Sequence, residues 1–224
     1  MLLGAAGSLG EALLARLLAS PDYSRIHVGV ERDMPSTSSR FAALPLDSHL
    51  AWPAARDAFL CETPPEALLK AEHSIRPLSP AQMLEAARAA RAAGVSRLVL
   101  VAPLAAVLQL SGAVRTLNQT DEIELVGLGF ETLIIIRPAE QESDAPAGGW
   151  FRALVRSAGR AVLHIMLPPT IQPLRAESAA TAILVAAARL GPGLHILGAK
   201  ELAGIVAETQ PQAAPRPQRW LRRE

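Results

Sequence analysis

Residues 2–14 read LLGAAGSLGEALL, and the three glycines of this stretch, Gly4, Gly7 and Gly10, are spaced three residues apart. The apolar residues before Gly4 are typical of a buried strand, and the leucines that follow form one apolar stripe of a helix from about Ser8 to Ser20. Such a strand-to-helix loop lets the backbone approach a pyrophosphate, whose charge then faces the helix N-terminus. The stretch therefore predicts the first unit of a nucleotide-binding α/β fold, although a plain tight turn in an α/β protein would also use these glycines.

The strand before Gly4 is short, because only three residues precede the glycine. Strands in sheets commonly contain about five or six residues. Two explanations stay open: the strand begins upstream of Met1, or it is abbreviated.

The rest of the chain alternates between strand-like and helix-like patterns. This alternation predicts a doubly wound α/β fold with a mostly parallel Rossmann-type sheet of six or seven strands and helices on both faces. We expect one domain over residues 1–207, with small substrate-side elements at about 140–175, and a Pro/Arg-rich tail over 208–224. The predicted strands are 25–31, 40–47, 55–62, 96–102 and 131–138, and the later helices are 79–94, 112–128 and 176–190. The segments 193–197 and 200–208 close the fold.

Composition excludes several classes of function. The net charge is +1 and no dense basic face precedes the tail, so nucleic acid is not expected as a partner. No apolar run reaches the roughly 18 residues that cross a bilayer, and no targeting leader is expected. The single cysteine, Cys61, fits a reducing compartment, so we expect a cytoplasmic protein without an internal disulfide.

The glycine stretch and the next strand predict a cofactor site. The pyrophosphate is expected at the backbone of Gly4, Ala6, Gly7, Ser8, Leu9 and Gly10. Glu31 follows the second strand, 21 residues after Gly10, where an acidic residue binds the adenosine ribose. Glu31 favours NAD, whereas Arg32 could pair with a 2′-phosphate and leaves NADP open.

The ordered set of motifs resembles the atypical short-chain dehydrogenase/reductases, specifically the compact Tat-interacting-protein-like group of NAD(P)-binding oxidoreductases. The resemblance covers most of residues 1–207. The stretches that carry it are GAAGSLG (4–10), DAFLCE (57–62), AARAAGVSRLVLVA (89–102), LGFETLIIIRPA (128–139) and GPGLHILGAKEL (191–202).

The resemblance implies a catalytic triad that this chain has lost. In that family, a serine after the fifth strand and a tyrosine with a lysine four residues later carry the hydride and proton chemistry. In this chain the serine position is Ala102, the tyrosine position is Val114 and the lysine position is Asn118. Valine and alanine transfer no proton, and the only tyrosine, Tyr23, is expected at the far edge of the sheet. The family's glycine after the fourth strand is also replaced, by Pro64 or a neighbour.

Other reactive side chains have simpler interpretations. The five histidines do not share metal-ligand spacing with other ligand residues, so no metal site is predicted. Cys61 is interpreted as a small buried hydrophobe rather than a pocket thiol. The acidic loop with Glu140, Glu142 and Asp144 either lines a substrate cleft or is a solvated loop, and Ser111 has no base beside it.

Three functions follow from these observations. The first is an NAD(P)-binding, oxidoreductase-like protein that has lost catalysis and acts as a nucleotide-binding sensor or interaction protein. The second is an active NAD(P)-dependent oxidoreductase that works without the tyrosine–lysine pair. The third is a structural subunit that binds no nucleotide. The expected partners are a dinucleotide and an unknown small molecule or protein, and a homodimer is left open.

Overall fold

The computed structural model describes residues 1–31, 38–45, 52–63, 74–102, 119–137 and 174–209. Within these ranges seven strands form one open sheet in the order β3-β2-β1-β4-β5-β6-β7, and every pair of neighbouring strands is parallel. The strands are β1 (Leu2–Leu3), β2 (Ile26–Val30), β3 (Phe41–Pro45), β4 (Asp57–Cys61), β5 (Arg97–Val101), β6 (Thr132–Arg137) and β7 (Gly193–Gly198). The helices of this part are α1 (Ser8–Ala19), α2 (Pro80–Ala92), α3 (Gln119–Gly127), α4 (Ala176–Arg189) and α5 (Ala199–Thr209). The predicted doubly wound α/β fold is therefore confirmed.

Helices cover both faces of the sheet. On the α1 face, α1, α4 and α5 share one apolar cluster with strand residues such as Phe59, Val99 and Ile134. On the opposite α2 face, α2 and α3 share a second cluster with the intervening residues, such as Leu60 and Ile135. All five residues of β4 are buried, as expected of a central parallel strand covered on both sides.

Local signals explain where α2 begins and ends. The backbone N–H and the hydroxyl of Ser79 each donate a 3.0 Å hydrogen bond to Oε1 of Gln82, which ties the first turn together. Pro80 occupies the first helical position, where a missing N–H costs nothing. Gly94 follows the helix with a φ of 86°, a conformation that glycine adopts without steric cost. The predicted helix over 79–94 is confirmed.

Arg40, which precedes β3, binds free carbonyl oxygens at the C-terminal end of α1. The guanidinium of Arg40 donates to the carbonyl oxygen of Leu18 at 2.8 Å and also to the carbonyls of Ser20 and Tyr23. These hydrogen bonds join the end of α1 to the segment that leads into β3. They also fix Tyr23 near the amino ends of the strands.

The other predicted elements agree with the structure wherever it describes them. The helix predicted over 112–128 is present as α3, and its first part, 112–118, lies outside the described residues. The predicted substrate-side elements lie almost wholly outside them, since the described chain resumes at residue 174. Helix α5 continues to Thr209, and residues 210–224 of the predicted tail are not described.

The environment of Cys61 decides between the two interpretations of this residue. Cys61 is the last residue of β4, is 4% exposed and belongs to the apolar cluster of the α1 face. Burial raises the pKa of its thiol to about 12. Since the thiolate is the reactive form, the thiol is a packing group, and its interpretation as a buried hydrophobe is confirmed.

We expect native Cys61 to resist thiol reagents at pH 8. An unfolded cysteine with a pKa of about 8.5 is partly ionised at this pH, whereas the buried thiol is not, so native labelling should be at least about 100-fold slower. Absorbance with a chromogenic disulfide reagent measures the rate, and the denatured chain should give one equivalent. Equally fast labelling in the native and denatured states would contradict this assignment.

Candidate functional site

The crevice of this fold lies at the carboxyl edge of the sheet, between β1 and β4. The chain leaves β1 toward β2 on one side and later returns to β4 on the other side, so the strand order reverses at this point. Open α/β sheets bind ligands outside the carboxyl ends of the strands at such a switch point. The loop from Gly4 to Gly7 forms one wall, and Glu62 and Thr63, which follow β4, form the other.

Gly4 is required by its neighbours in the sheet. Its φ is 70°, and a Cβ at this position would overlap the carbonyl oxygen of Cys61 and lie 2.6 Å from Cβ of Leu78. Any larger residue would therefore push β1 away from β4.

Gly10 is required by the contact between α1 and the loop. A Cβ at Gly10 would lie 2.5 Å from Cα of Ala5, so the first turn of α1 packs directly on the backbone of the loop. This is the role of the third glycine in dinucleotide-binding loops, which allows close packing of strand and helix.

Gly7 opens the N-terminus of α1 toward the crevice. It immediately precedes the helix with a φ of 112°, and no side chain caps the helix there. The first helical hydrogen bond is donated by the N–H of Glu11 to the carbonyl of Gly7 at 2.9 Å. The N–H groups of Ser8, Leu9 and Gly10 precede that bond, so they have no acceptor within the helix, and they carry the positive end of its dipole.

The side chains of the predicted loop residues differ in what they can contact. Ala6 is 6% exposed, and Leu9 is a member of the α1-face cluster, so each has only its backbone to offer a ligand. Ser8 is exposed, and Gly7 is half-buried. The site predicted on this loop is therefore formed chiefly by backbone atoms.

Glu31 lies beside this loop. Glu31 directly follows β2, which pairs with β1 through Val28 and Leu2, so Glu31 and the loop after β1 both lie at the carboxyl edge of the sheet on neighbouring strands. The carboxylate of Glu31 is exposed, while its backbone N–H donates to the carbonyl of Ser74 at 3.2 Å. Arg32, the other predicted ribose-side residue, lies outside the described residues.

A segment that the sequence analysis missed runs along the same edge. Residues 74–79, which we call the crossing segment, pair antiparallel with β2 through Val30 and Ile75. The segment then passes the end of β1, where Leu78 packs against Gly4. No local sequence pattern predicts the position of the crossing segment, because the residues that it contacts lie far away in the sequence.

Thr63 fastens the crossing segment to β4. Its N–H donates to the carbonyl of Leu78 at 2.9 Å, and its hydroxyl accepts from the N–H of Leu78 at 2.9 Å. The same hydroxyl donates to the carbonyl of Gly4 at 3.4 Å. Through these bonds Thr63 joins the end of β4, the crossing segment and the loop after β1. Because Thr63 is only 1% exposed, its side chain is not itself a ligand-binding group.

Ala102 is the only one of the three predicted triad positions that the structure describes. It follows β5, is 8% exposed, belongs to the α2-face cluster and donates its N–H to the carbonyl of Ile136 at 2.9 Å. Val114 and Asn118 lie outside the described residues, so their position beside Ala102 stays a prediction.

Two charged residues flank Ala102 on the neighbouring strands. The pairing of Cys61 with Val101 and of Val101 with Ile136 makes Glu62, Ala102 and Arg137 level across three strands. Alternation places all three on the α2 face, because Leu60, Leu100 and Ile135 face that side. Glu62 is 7% exposed, and both Glu62 and Arg137 have interaction partners.

Tyr23 lies at the opposite edge of the sheet, as predicted. Its ring makes an edge-to-face contact with Phe59, with 6.1 Å between the centroids. Burial, followed by the negative charge of Asp57 at the amino end of β4, raises the pKa of Tyr23 to about 12. The only tyrosine of the chain is therefore remote from the crevice.

The remaining candidates that the structure describes form no second site. Among the described residues, no group of three or more His, Cys, Asp or Glu could hold a metal ion. His27 and His195 lie on β2 and β7, and the other three histidines, the acidic loop with Glu140, and Ser111 are not described. Of the described helices, none has the length and apolar character needed to span a membrane.

Comparison with known proteins does not identify a family for this chain. No protein-family model matches the chain, and a search of curated proteins gives no significant match. What the fold itself establishes is a Rossmann-type α/β sheet with its crevice at the carboxyl ends of β1 and β4.

Proposed function

We propose that this chain binds a dinucleotide, NAD or NADP, in the crevice between β1 and β4, as a member of the atypical short-chain dehydrogenase/reductases. The observation that carries the proposal is the uncapped N-terminus of α1 behind Gly7. Three N–H groups and the helix dipole meet there at the switch point of the sheet, which is the geometry that binds pyrophosphate. The pyrophosphate would lie over the backbone of Ala6 to Leu9.

The position of Glu31 supports the orientation of the cofactor. Glu31 is exposed and follows β2, the strand beside β1, so it lies at the same edge of the sheet as the glycine loop. A carboxylate there can accept hydrogen bonds from both hydroxyls of an adenosine ribose and repels a 2′-phosphate. The adenosine half would then extend toward β2, and the nicotinamide half would extend toward β4 and β5.

The residue at Ala102 supports a binding role without ordinary carbonyl reduction. When bound, the cofactor would supply hydride chemistry, but a carbonyl also needs a proton donor and a group that orients its oxygen. The methyl group of Ala102 provides neither. We therefore assign the chain the role of a nucleotide-binding sensor or interaction protein in the cytoplasm.

A second candidate function is suggested by Glu62. This carboxyl group is almost fully buried and lies level with Ala102 on the neighbouring strand. A carboxylic acid in a buried site can serve as a proton donor. If the chain is an active oxidoreductase, Glu62 is the side chain of the described crevice wall best placed to replace the lost triad.

Replacing Gly7 with valine should abolish dinucleotide binding. The side chain would fill the approach of the pyrophosphate, and a β-branched residue is strained at a φ of 112°. Isothermal titration calorimetry with NAD, NADH, NADP and NADPH measures the effect. Gly94→Val is the matched control, because Gly94 also has a positive φ but has open space around it and lies at the far end of α2. Equal affinity in wild type and Gly7→Val would refute the placement.

Replacing Glu31 with alanine should weaken NAD binding by about tenfold or more and leave NADP binding unchanged or stronger, because hydrogen bonds to a charged group are worth about 1.5–3 kcal/mol. The ratio of the two dissociation constants, from fluorescence titration with NADH and NADPH, is the measurement. Glu85→Ala removes an exposed carboxylate on α2 and should leave the ratio unchanged. An unaltered ratio in Glu31→Ala would place the ribose elsewhere.

The wild-type chain should reduce standard ketones and aldehydes no faster than a buffer control. Loss of a positioned general acid or base typically lowers the rate by about 100- to 10,000-fold, and its orienting partners are lost here as well. Oxidation of NADH and NADPH at 340 nm, with a panel of carbonyls, quinones and flavins, tests this expectation. Turnover that disappears in Glu62→Gln would instead support the second candidate function.

A further inference from the structure

The crossing segment occupies the position in the sheet where β1 would continue. On one side, the N–H of Glu31, directly after β2, donates to the carbonyl of Ser74 at 3.2 Å. On the other side, the N–H of Thr63, just after β4, donates to the carbonyl of Leu78 at 2.9 Å. Strand β1 lies between β2 and β4 in the sheet, so the segment bridges the two strands at the switch point.

The alternation of backbone groups confirms that these bonds lie on the β1 side of both strands. The N–H of Ile26 donates to the residue before β3, so Glu31, an odd number of residues later, directs its N–H toward β1. The N–H of Phe59 donates to the carbonyl of Met1, and Thr63, four residues later, faces the same way. The crossing segment therefore lies between the ends of β2 and β4.

The pairing with β2 determines which face each side chain of the crossing segment takes. Ile75 forms the bridge to β2 and packs against the apolar cluster of the α1 face. Its two neighbours, Ser74 and Arg76, therefore direct their side chains toward the α2 face. Val28 of β2 also belongs to the α1-face cluster, so Glu31, three residues later, faces the α2 side as well.

This arrangement brings Glu31, Ser74 and Arg76 together at the end of β2. The N–H of Arg76 donates to the carbonyl of Gly29 at 3.0 Å, so Arg76 lies opposite Gly29 and Ser74 lies opposite Glu31. Arg76 is then the diagonal neighbour of Glu31, at about 7–8 Å, a distance that long side chains span. Gly29 has no side chain that would take up the space between them.

The chemistry of these three side chains suits a phosphorylated ribose. Glu31 and Ser74 are exposed, and Arg76 is half-buried. A guanidinium binds two phosphate oxygens through parallel N–H bonds, and a serine hydroxyl can donate a third bond. Arg76 has a further interaction within the protein, and its five N–H donors allow it to keep that contact while it binds a phosphate.

We propose that Arg76 binds a phosphate on the 2′-oxygen of the adenosine ribose, so that the crevice accepts NADP at least as well as NAD. The inference rests on the proposed function, because it needs a dinucleotide whose ribose lies at Glu31. The carboxylate alone favours the free ribose diol and repels a 2′-phosphate. Arg76 supplies the positive charge that offsets this repulsion, and Ser74 adds a hydroxyl donor on the same face.

Two half-cofactors isolate the adenosine end of the site, since 2′,5′-ADP carries the ribose phosphate, 5′-ADP lacks it, and neither contains nicotinamide. Wild type should bind 2′,5′-ADP and NADPH at least as tightly as 5′-ADP and NADH in isothermal titration calorimetry at constant salt. Arg76→Gln should weaken 2′,5′-ADP and NADPH by about tenfold or more, and 5′-ADP and NADH by less than about threefold, because only the phosphate loses charge-assisted hydrogen bonds. Arg76→Lys keeps the charge without the parallel pair and should give an intermediate loss.

Arg88→Gln is the matched control for these variants. It removes the same charge from the exposed side of α2, where Arg88 pairs with Glu124 at 2.6 Å, and should leave all four dissociation constants unchanged. The bond from residue 76 to Gly29 uses the backbone N–H, so the Gln and Lys variants retain it. Circular dichroism should show native folding of every variant.

The possible results separate this inference from the proposed function. If wild type binds none of the four ligands, both are overturned. If wild type binds NADH and 5′-ADP but not NADPH, or if Arg76→Gln leaves NADPH binding unchanged, the role of Arg76 is overturned and the dinucleotide site remains. Equal weakening of all four ligands in Arg76→Gln would likewise overturn the inference, because Arg76 would then support the site as a whole rather than select the 2′-phosphate.

Discussion

The carbonyl oxygen of Cys61 stands so close to Gly4 that no side chain fits between the end of β1 and β4. The crevice depends on this contact, because it sets how closely the two strands approach at the switch point. The loop that leaves Gly4 places the first turn of α1 on Ala5, and Leu78 closes over Gly4 from the other side. Thr63 then joins the two strand ends and the crossing segment through its backbone and hydroxyl. A bulky residue at position 4 would disturb all of these contacts together.

This constraint distinguishes Gly4 and Gly10, which the packing of the fold requires, from Gly7, which precedes the N-terminus of α1. Gly4 and Gly10 are fixed by contacts within the protein, with Cys61, Leu78 and Ala5, and the fold would need them even if nothing were bound. Gly7 instead precedes α1 and leaves its N-terminus without a side-chain cap. Serine, threonine, aspartate or asparagine usually satisfies the free N–H groups at such a position. The N-terminus of α4 also has no side-chain cap, so it is the position of the α1 N-terminus at the switch point that supports the proposed dinucleotide site.

The sequence predicts what local patterns determine, and α2 is the clearest case. Ser79, Pro80 and Gly94 are adjacent signals, and the structure uses each of them. The parallel direction of the strands also follows, because each crossover helix between two strands of one sheet returns the chain to the same end. The crossing segment could not be predicted, since its hydrogen bonds to Gly29, Glu31 and Thr63 join residues that are distant in the sequence.

The same limit applies to the candidate site. The sequence identifies the glycine loop and Glu31 because spacing along the chain reports them. The sequence does not predict that Glu62 and Arg137 lie on either side of Ala102. These three residues are neighbours only because of the register in which β4, β5 and β6 pair. For β7, the apolar pattern GLHIL does not report that Leu194 and Ile196 are about half exposed. Apolar character indicates that a side chain is to be covered, but not whether its own chain covers it.

A row of residues at the same level connects the crevice wall to the last strand of the described sheet. The crevice lies between β1 and β4, and β7 is three strands beyond β4, about 14 Å away at the usual strand spacing. The connection between them runs through Glu62, Ala102 and Arg137, which are level with one another, and Arg137 pairs directly with Gly198 at the end of β7. Strand register alone creates this row, so a substitution at Glu62 changes the surroundings of Ala102 before it reaches the last strand.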